Sequence, residues 1–241
     1  MSKEGLFYMR IFGKGFNFSQ DGPGNRLVYH LSGCNMHCPW CSNADGLSAD
    51  AGKEYSTKEI LSECISCKPM FFSGGGVTFT GGEATLQHKE LLFLLQNLKN
   101  EEIHTALETN GTSKRLPELL EFVDYLIMDF KHYDDEVLKA YTGVGTRQIK
   151  KNYEYNCNSG RQQHIRIPLI NGVNTDAPQE FATYFSSFDT SNTVFEFLPY
   201  HEYGKEKWKG NYKIQNGFIT QDVLEQFKNT FKKYGLTITT T

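Results

Sequence analysis

The sequence has no long apolar run, no excess of one charge and no low-complexity tract. Its longest apolar stretch, Leu91–Leu95, is far too short to cross a bilayer, so we expect no membrane association. The formal net charge is −3, which gives no indication of a nucleic-acid partner. Because the first ten residues lack the apolar core of a signal peptide, we expect a cytoplasmic protein. A length of 241 residues predicts a single domain over residues 1–241.

Cysteine is scarce, and half of the six cysteines lie in one loop, Gly33–Asn43. Cys34, Cys38 and Cys41 have the spacing C-x3-C-x2-C, and no fourth cysteine follows nearby. A structural zinc site takes four ligands, so zinc needs a distant residue or His37 to complete the set. Iron–sulfur clusters are held by thiolates at short, irregular spacings. Three thiolates on a four-iron cluster leave one iron open to a substrate or cofactor, which indicates a reactive cluster.

Strands and helices alternate along the rest of the chain, which predicts a mostly parallel sheet. We count about six β/α units, so an incomplete, laterally open (β/α)6 barrel of the TIM type is expected rather than a closed one. Predicted helices cover roughly residues 88–100, 116–123, 134–141, 147–156 and 178–188, with ends at Gly143 and before Gly160. Ser56 and Thr57, followed by Glu59, mark the start of a further helix. A final helix and strand are placed within residues 220–240. The predicted strands cover residues 26–32, 77–80, 103–108, 125–128, 164–169, 193–198 and 236–239.

Polar groups follow the strands of this predicted barrel. The carboxyl ends of the first six predicted strands carry in turn the cysteine loop, Gly-Gly-Glu, Asn-Gly, an Asp/Lys pair, a second Asn-Gly and a histidine. In a barrel of β/α units the chemistry is built at the carboxyl ends of the strands. The pattern therefore predicts an active site at that end of the sheet.

The motifs at these positions carry a family resemblance. The loop segment Cys34–Cys41, with an aromatic residue before its third cysteine, resembles the signature of the radical S-adenosylmethionine (SAM) superfamily. The whole series, in order, is similar to the glycyl-radical-enzyme activating enzymes. It consists of Asp21–Arg26, Trp40–Asn43, Gly74–Thr78, Gly81–Glu83, Asp129–Lys131, Tyr141–Val144 and Leu198–His201.

The resemblance implies an oxidoreductase in which Cys34, Cys38 and Cys41 hold a [4Fe–4S] cluster. SAM would chelate the open iron through the amino and carboxylate groups of its methionine part. Reduction of the cluster would cleave SAM to methionine and a 5′-deoxyadenosyl radical, which removes a hydrogen atom from a backbone glycine of a partner glycyl radical enzyme. The reductant would be of the flavodoxin or ferredoxin type. The cofactors supply the difficult chemistry, and the protein supplies position and shielding.

The resemblance also assigns SAM contacts. Two glycines allow close backbone approach to a ligand, and a nearby carboxylate can meet the SAM ammonium group. The same residues have structural explanations: a tight turn, a surface ion pair, an Arg–carboxylate pair in the barrel wall, or aromatic packing. The expected SAM-binding residues are Trp40, Ser42, Gly81, Gly82, Glu83, Asp129, Phe130, Lys131, Arg166 and His201.

Two further sites are expected from the family. A monovalent cation beside SAM would be held by Glu108, Thr109 and Asp129, although the family commonly has Asp where Glu108 stands. The partner's glycine loop would dock on the turn formed by Asp21, Gly22, Pro23 and Gly24, and on the loop 203–217. Ordinary surface turns are the alternative interpretation of both segments.

Three cysteines remain outside the loop: Cys64, Cys67 and Cys157. Three thiols do not make a conventional four-thiolate cluster, so we expect buried thiols that behave as small apolar groups, with a redox pair or a partial metal site as the alternative. Two other functions stay open from the sequence. One is radical SAM chemistry on a small molecule, as in carboxydeazaguanine synthase; the other is a non-catalytic zinc or electron-transfer iron–sulfur protein.

Overall fold

A computed structural model describes residues 7–210 and 212–239 of the chain. It contains eight strands: β1 Tyr8–Phe18, β2 Asn25–Leu31, β3 Lys53–Ser56, β4 Gly76–Gly81, β5 Thr105–Thr109, β6 Tyr125–Asp129, β7 Gln163–Leu169 and β8 Thr193–Pro199. Its seven α-helices are α1 Thr57–Ser66, α2 His88–Asn100, α3 Leu116–Leu120, α4 Asp135–Thr142, α5 Arg147–Ser159, α6 Pro178–Ser186 and α7 Gln221–Lys233.

All eight strands belong to one open sheet in the order β3-β1-β2-β4-β5-β6-β7-β8. The pairs β2–β4, β4–β5 and β7–β8 are parallel, and from β3 onward α-helices separate the strands along the chain. The expected incomplete α/β barrel is therefore confirmed. The structure adds two strands that the sequence analysis missed, β1 and β3, and both pair antiparallel with their neighbours.

The chain divides into two compact units, each with its own internal packing. The first contains the residues up to Asn35 together with Asp45–Thr109 and Arg115–Leu126. The second contains Met36–Ala44, Asn110–Lys114 and Ile127–Thr241. The single domain over 1–241 stays a prediction.

In the first unit, β1 pairs along its length with β2 and, through Tyr8–Ile11, with β3. A bulge between Ile11 and Gly13 shifts the register with β2. Helix α1 begins where the sequence predicts, because Ser56 and Glu59 form a capping box that bonds the first backbone N–H groups. Helix α2 buries a leucine face consisting of Leu91, Leu94, Leu95 and Leu98.

In the second unit, aromatic side chains fill the space between the helices and the strands β6–β8. Phe185 is fully buried, and its ring centroid lies 4.7 Å from those of both Phe130 and Phe195. Phe231 of α7 continues the cluster at 5.3 Å from Phe195. Large rings dominate core energetics and prefer edge-to-face contacts of this kind. The aromatic cluster therefore fixes the helices against the strands that end in predicted site residues.

Glycines in the left-handed region end α4 and α5 at Gly143 and Gly160, as predicted. The predicted final strand is reduced to a single parallel bridge between Ile238 and Phe195, and Thr240 lies outside the described residues. Within residues 7–210 and 212–239, no helix has both the length and the apolar character needed to cross a membrane.

Candidate active site

The segment Met36–Ala44 of the cysteine loop is held within the second unit by backbone hydrogen bonds. The His37 N–H donates to the Thr142 carbonyl at 3.0 Å, at the end of α4. The Cys41 N–H donates to the Cys38 carbonyl at 3.0 Å, which closes a turn between these two cysteines. The Trp40 ring lies 5.8 Å from the Tyr141 ring, so Trp40 has a packing role in this structure.

Cys38 is buried and Cys41 is half-buried. The Cys41 sulfur accepts a hydrogen bond from the Asn43 backbone N–H at 3.4 Å. Burial raises the pKa of the Cys41 thiol, while the Asn43 N–H and the charge of Lys131 act in the opposite direction. Groups that favour the thiolate are what a metal-binding cysteine requires.

Two residues that the sequence analysis missed also contact this loop. The Trp208 indole N–H donates to the Cys41 carbonyl at 3.0 Å, across 167 positions of the chain. Gly204 packs so closely on Ser42 that an added Cβ would lie 2.4 Å from the Ser42 Cα. No local sequence pattern indicates contacts at this separation. The loop 203–217 therefore contacts the predicted cluster loop; Asn211 in it lies outside the described residues.

In the first unit, the start of the cysteine loop is bonded to its surroundings by backbone groups. The Gly33 N–H donates to the Gly46 carbonyl at 2.9 Å, and the Cys34 N–H donates to the Leu47 carbonyl at 3.1 Å. The Glu83 N–H donates in turn to the Gly33 carbonyl at 2.7 Å. The Gly-Gly-Glu turn and the residues before Cys34 thus form one hydrogen-bonded unit.

The two glycines of this turn allow close contacts within the chain, whereas the sequence suggested close approach to a ligand. An added Cβ on Gly81 would lie 2.3 Å from the Leu31 nitrogen, and one on Gly82 would lie 2.2 Å from the Gly33 oxygen. Gly81 also has φ +124°, which favours glycine. The close approach is therefore made to the backbone that leads into the cysteine loop.

Glu83 is 1% exposed and lies at the amino end of the 3₁₀ turn Ala84–Gln87. Its Oε1 accepts hydrogen bonds from the Thr85 N–H at 3.1 Å, the Thr85 hydroxyl at 2.5 Å and the Thr109 hydroxyl at 2.7 Å. These bonds orient a buried carboxylate, whereas a tight turn with no further role for Glu83 would leave its side chain exposed. A buried carboxylate needs hydrogen-bond donors or a positive charge.

Asp129 and Lys131 form an ion pair at the end of β6, with Oδ2 and Nζ 2.6 Å apart. The Asn174 side chain donates to the Lys131 carbonyl at 2.9 Å and to the Pro168 carbonyl at 2.6 Å. Phe130, between the pair, is fully buried in the aromatic cluster, and its N–H donates to the Arg166 carbonyl at 2.8 Å. Phe130 thus supports this strand end by packing.

Arg166 forms an ion pair with a carboxylate of the neighbouring strand, which is the structural explanation that the sequence offered. Its Nε donates to the Glu196 Oε2 at 2.8 Å, and the His164 Nε2 lies 3.1 Å from the same oxygen. Burial by itself raises the pKa of Glu196, but the hydrogen bond from His164 and the charge of Arg166 outweigh it, so the pKa is lowered to about 2. The arginine is thereby held at a fixed position on β7.

His201 is half-buried, and its ring stacks on the Tyr203 ring at 4.4 Å. Its Nδ1 accepts a hydrogen bond from the Tyr203 N–H at 3.4 Å. Burial lowers the pKa of His201. A neutral imidazole stacked on a tyrosine presents a flat surface next to the segment that contacts Ser42.

The predicted cation ligands have separate partners. The Thr80 hydroxyl donates to the Glu108 carboxylate at 2.7 Å, whereas the Thr109 hydroxyl bonds Glu83. Adjacent residues of a strand point to opposite faces, which explains the separation. The structure thus does not place the Glu108 and Thr109 side chains on one face of β5.

The turn Asp21–Gly24 is tightly fixed in the first unit. The fully buried Arg26 donates from Nη1 to the Pro23 carbonyl at 3.0 Å and from Nε to the Thr78 hydroxyl at 2.6 Å. The Thr78 hydroxyl donates onward to the Asp21 carbonyl at 2.7 Å. Burial lowers the pKa of Arg26 to about 10, so the guanidinium remains charged at neutral pH.

Cys64 and Cys157 are buried, in agreement with a packing role, while Cys67 is half-buried. The Cys64 thiol lies 3.7 Å from the Tyr29 hydroxyl, and burial raises its pKa to about 12. The Cys157 sulfur accepts from the Gln163 amide at 3.2 Å. These contacts show how the two thiols pack in the interior.

The donor chemistry of the loop fits an iron–sulfur cluster. All six cysteines are thiols rather than disulfides, and the Asn43 N–H already supports the Cys41 sulfur. Within the described ranges, no three or more His, Cys, Asp or Glu side chains are grouped around one point as a ready metal site. The thiol ligand set is the one used by cysteine-bound clusters.

Comparisons with known proteins cover most of the chain. The family model of the radical SAM superfamily matches residues 28–185. The pyruvate formate-lyase 1-activating enzyme of Escherichia coli (strain K12) is 32% identical over 241 residues, covering 94% of this chain and 98% of that protein.

Two solved structures resemble the fold. A domain of pyruvate-formate lyase-activating enzyme from Bacteroides vulgatus ATCC 8482 matches with a TM-score of 0.59 and 28% identity, covering 69% of this chain and 98% of that one. Streptococcus suis SuiB bound to S-adenosylmethionine matches with a TM-score of 0.68 over 89% of this chain and 49% of that one. At 17% identity, the second match shows the fold alone.

Proposed function

We propose that this chain, which belongs to the radical SAM superfamily and within it to the family of pyruvate formate-lyase activating enzymes, forms its glycyl radical on a pyruvate formate-lyase. The chain is a radical SAM activating enzyme whose cofactors are a [4Fe–4S] cluster and SAM, and its substrate is a glycyl radical enzyme. The cytoplasm as its compartment, and a flavodoxin or ferredoxin as its reductant, belong to the proposal.

The proposal rests on the cysteine loop in its family context. Cys34, Cys38 and Cys41 would hold the cluster, and the hydrogen bonds of the loop would keep these thiols in place before the cluster is inserted. When bound, the cluster and SAM supply a carbon-centred radical that removes a hydrogen atom from the partner glycine. The residues of this chain bind, orient and shield those groups.

For SAM, charge and burial favour Glu83 as the partner of the ammonium group. Its carboxylate is buried and oriented by Thr85 and Thr109, which fits a charge-assisted hydrogen bond. Arg166, fixed by Glu196, would face the SAM carboxylate. The Asp129–Lys131 pair at the end of β6 would contact the ribose hydroxyls or the carboxylate.

The remaining proposed SAM contacts flank the third cysteine or shape the strand ends. Trp40 and Ser42 flank Cys41 and would lie near adenine together with His201, while Gly81, Gly82 and Phe130 would act by shaping the strand ends. A monovalent cation held by Glu108, Thr109 and Asp129 stays a prediction. The Glu108 carboxylate accepts a hydrogen bond from the Thr80 hydroxyl in this structure.

Docking of the partner's glycine loop is assigned to the turn Asp21–Gly24. The support for this assignment is rigidity, because Arg26 and Thr78 bond the backbone of the turn from beneath. A binding loop that is fixed before contact loses little conformational entropy on association. Beside the turn, Phe18 and Phe72 are more than half exposed, and their rings stack 6.0 Å apart.

The test is anaerobic reconstitution with iron and sulfide, reduction with dithionite, and assay of 5′-deoxyadenosine and methionine. A purified pyruvate formate-lyase is then added, and its glycyl radical is measured by EPR. SAM cleavage together with the radical signal is expected. A fully loaded enzyme that cleaves no SAM would refute the activity, and cleavage without a radical on this partner would refute the choice of partner.

A matched pair of variants tests the ligand assignment. Cys34→Ala is expected to prevent loading of the four-iron cluster, because only two loop thiolates remain. Cys67→Ala, at a half-buried cysteine outside the loop, is expected to load normally. Four irons retained in Cys34→Ala would show that the ligands lie elsewhere.

A further inference from the structure

Cys41 has a hydrogen-bond partner for its nitrogen, its oxygen and its sulfur. Two of the partners are in the same loop: the Cys38 carbonyl accepts from the Cys41 N–H, and the Asn43 N–H donates to the sulfur. The third is the Trp208 indole N–H, which donates to the Cys41 carbonyl at 3.0 Å. Among the residues that the structure describes, only Trp208 joins the third cysteine to a distant part of the chain by a hydrogen bond.

The segment that carries Trp208 is itself fixed against the loop. Gly204 is buried and packs against the Ser42 backbone. Only a hydrogen atom fits on its Cα, because an added Cβ would lie 2.4 Å from the Ser42 Cα and 2.5 Å from the Ser42 oxygen. A 3₁₀ turn, Lys205–Lys207, leads from this contact to Trp208. The Trp208 ring then packs edge-on against Tyr212 at 5.9 Å.

We propose that Trp208 is a positioning residue for the cluster, acting through Cys41, and that Gly204–Trp208 is the segment that holds the third cysteine in its ligand position. The inference rests on the proposed function only in taking Cys41 as a cluster ligand. An indole nitrogen is a donor and never an acceptor, so its partner is unambiguous. The segment sets how firmly iron is retained, and by fixing the Cys41 backbone it keeps the Asn43 N–H on the Cys41 sulfur.

The test compares the reconstituted wild-type enzyme with Trp208→Phe. Phenylalanine keeps a ring against Tyr212 and removes only the N–H. With one hydrogen bond lost, iron release to an excess of chelator is expected to become about five-fold faster. Loss of the Trp208 bond frees the Cys41 backbone and weakens the Asn43 N–H bond to the Cys41 sulfur. Because hydrogen bonds to the sulfurs raise the potential of a cluster, its midpoint potential, measured by EPR-monitored titration, is expected to become more negative.

Tyr212→Phe is the control for the aromatic contact. It removes the hydroxyl that lies 2.9 Å from the Tyr200 hydroxyl and leaves the ring in place. Iron release and potential are expected to match the wild-type values. A purely structural role for the aromatic pair predicts instead that both phenylalanine variants lose iron alike, without a shift in potential, and that result overturns the proposal.

Gly204→Ala approaches the same contact independently of tryptophan. The added methyl group pushes the segment away from Ser42, so faster iron release and a more negative potential are expected again. Gly15→Ala is the matched control, since nothing lies within 4 Å of the added Cβ. Wild-type release rates and potentials in both Trp208→Phe and Gly204→Ala refute the positioning role, whereas a wild-type chain that binds no cluster refutes the proposed function itself.

Discussion

Replacing Glu196 by glutamine tests the ion pair that fixes Arg166. The carboxylate is 5% exposed and accepts from Arg166 at 2.8 Å, with His164 at 3.1 Å from the same oxygen. Glutamine keeps the shape and one acceptor but removes the negative charge. The guanidinium is then buried without a counter-charge, which is costly in a protein interior.

The size of the effect follows from the pKa of Glu196. Its fall from 4.5 to about 2 corresponds to about 3 kcal/mol of folding free energy at neutral pH. Breaking a buried pair by removing one partner typically costs about 3–5 kcal/mol, which agrees. Because the folded pKa is the lower one, the stabilisation is complete above pH 4.5 and is lost as the pH falls toward 2.

Urea unfolding of the cluster-free chain, followed by far-UV circular dichroism, measures the difference between wild type and Glu196→Gln. We expect about 3 kcal/mol at pH 7, shrinking to roughly half of that by pH 3. Glu225→Gln is the control, since Glu225 forms an exposed pair with Lys228, and such pairs contribute about 0–1 kcal/mol.

The ion-pair reasoning fails if Glu196→Gln unfolds at the same urea concentration as Glu225→Gln. It also fails if the loss of stability at pH 7 persists unchanged at pH 3, because a charge-independent packing defect would then explain it. If the loss of stability at pH 7 becomes smaller in acid, Glu196 accounts for it, because β8 contains no other carboxylate.

Three further changes have outcomes that the structure determines. Gly82→Ala sets a methyl group against the Gly33 oxygen and is expected to cost about 1–3 kcal/mol in urea unfolding. Thr78→Val leaves the Nε of buried Arg26 without its acceptor and is expected to cost about 1–3 kcal/mol in the same assay. Glu83→Gln keeps the oxygen that accepts from threonine but loses the charge, so the Kd for SAM, measured by calorimetry on the reconstituted enzyme, should rise about ten-fold or more.

Each of these changes has a matched control. Gly15→Ala meets open space, and Thr183→Val removes an exposed hydroxyl, so both should unfold within about 0.5 kcal/mol of wild type. Glu118→Gln, at an exposed pair with Arg115, should bind SAM as the wild type does. Equal effects in a variant and its control would contradict the corresponding contact.

Periodicity and turn residues predicted the parallel strands and most helices, because these elements have local signals. The capping box at Ser56 and the glycines that end α4 and α5 are examples. Strand β1 gave no such signal, since Gly13 and Gly15 lower strand propensity and its phenylalanines are partly exposed. Strand β3 has only four residues, KEYS, and is defined by its partner rather than by its sequence.

The candidate site shows the same division. The spacing of the cysteines and the position of Glu83 at a strand end are visible in the sequence. Trp208 is not, because its bond to Cys41 spans 167 positions and depends on the tertiary fold. The pairing of Arg166 with Glu196 required the register of β7 and β8, in which these two residues are direct neighbours.

The strand order has a consequence for how the chain folds during synthesis. Strands β1 and β2 form a hairpin, β3 then adds to its β1 edge and β4 to its β2 edge, and each strand from β5 to β8 adds beside the one made before it. Among the described strands, none must be inserted between two that are already paired, since β3 adds to the free edge of β1. A chain leaving the ribosome can therefore extend one edge of the sheet as it emerges, and its amino-terminal half has native partners before the last strand is translated.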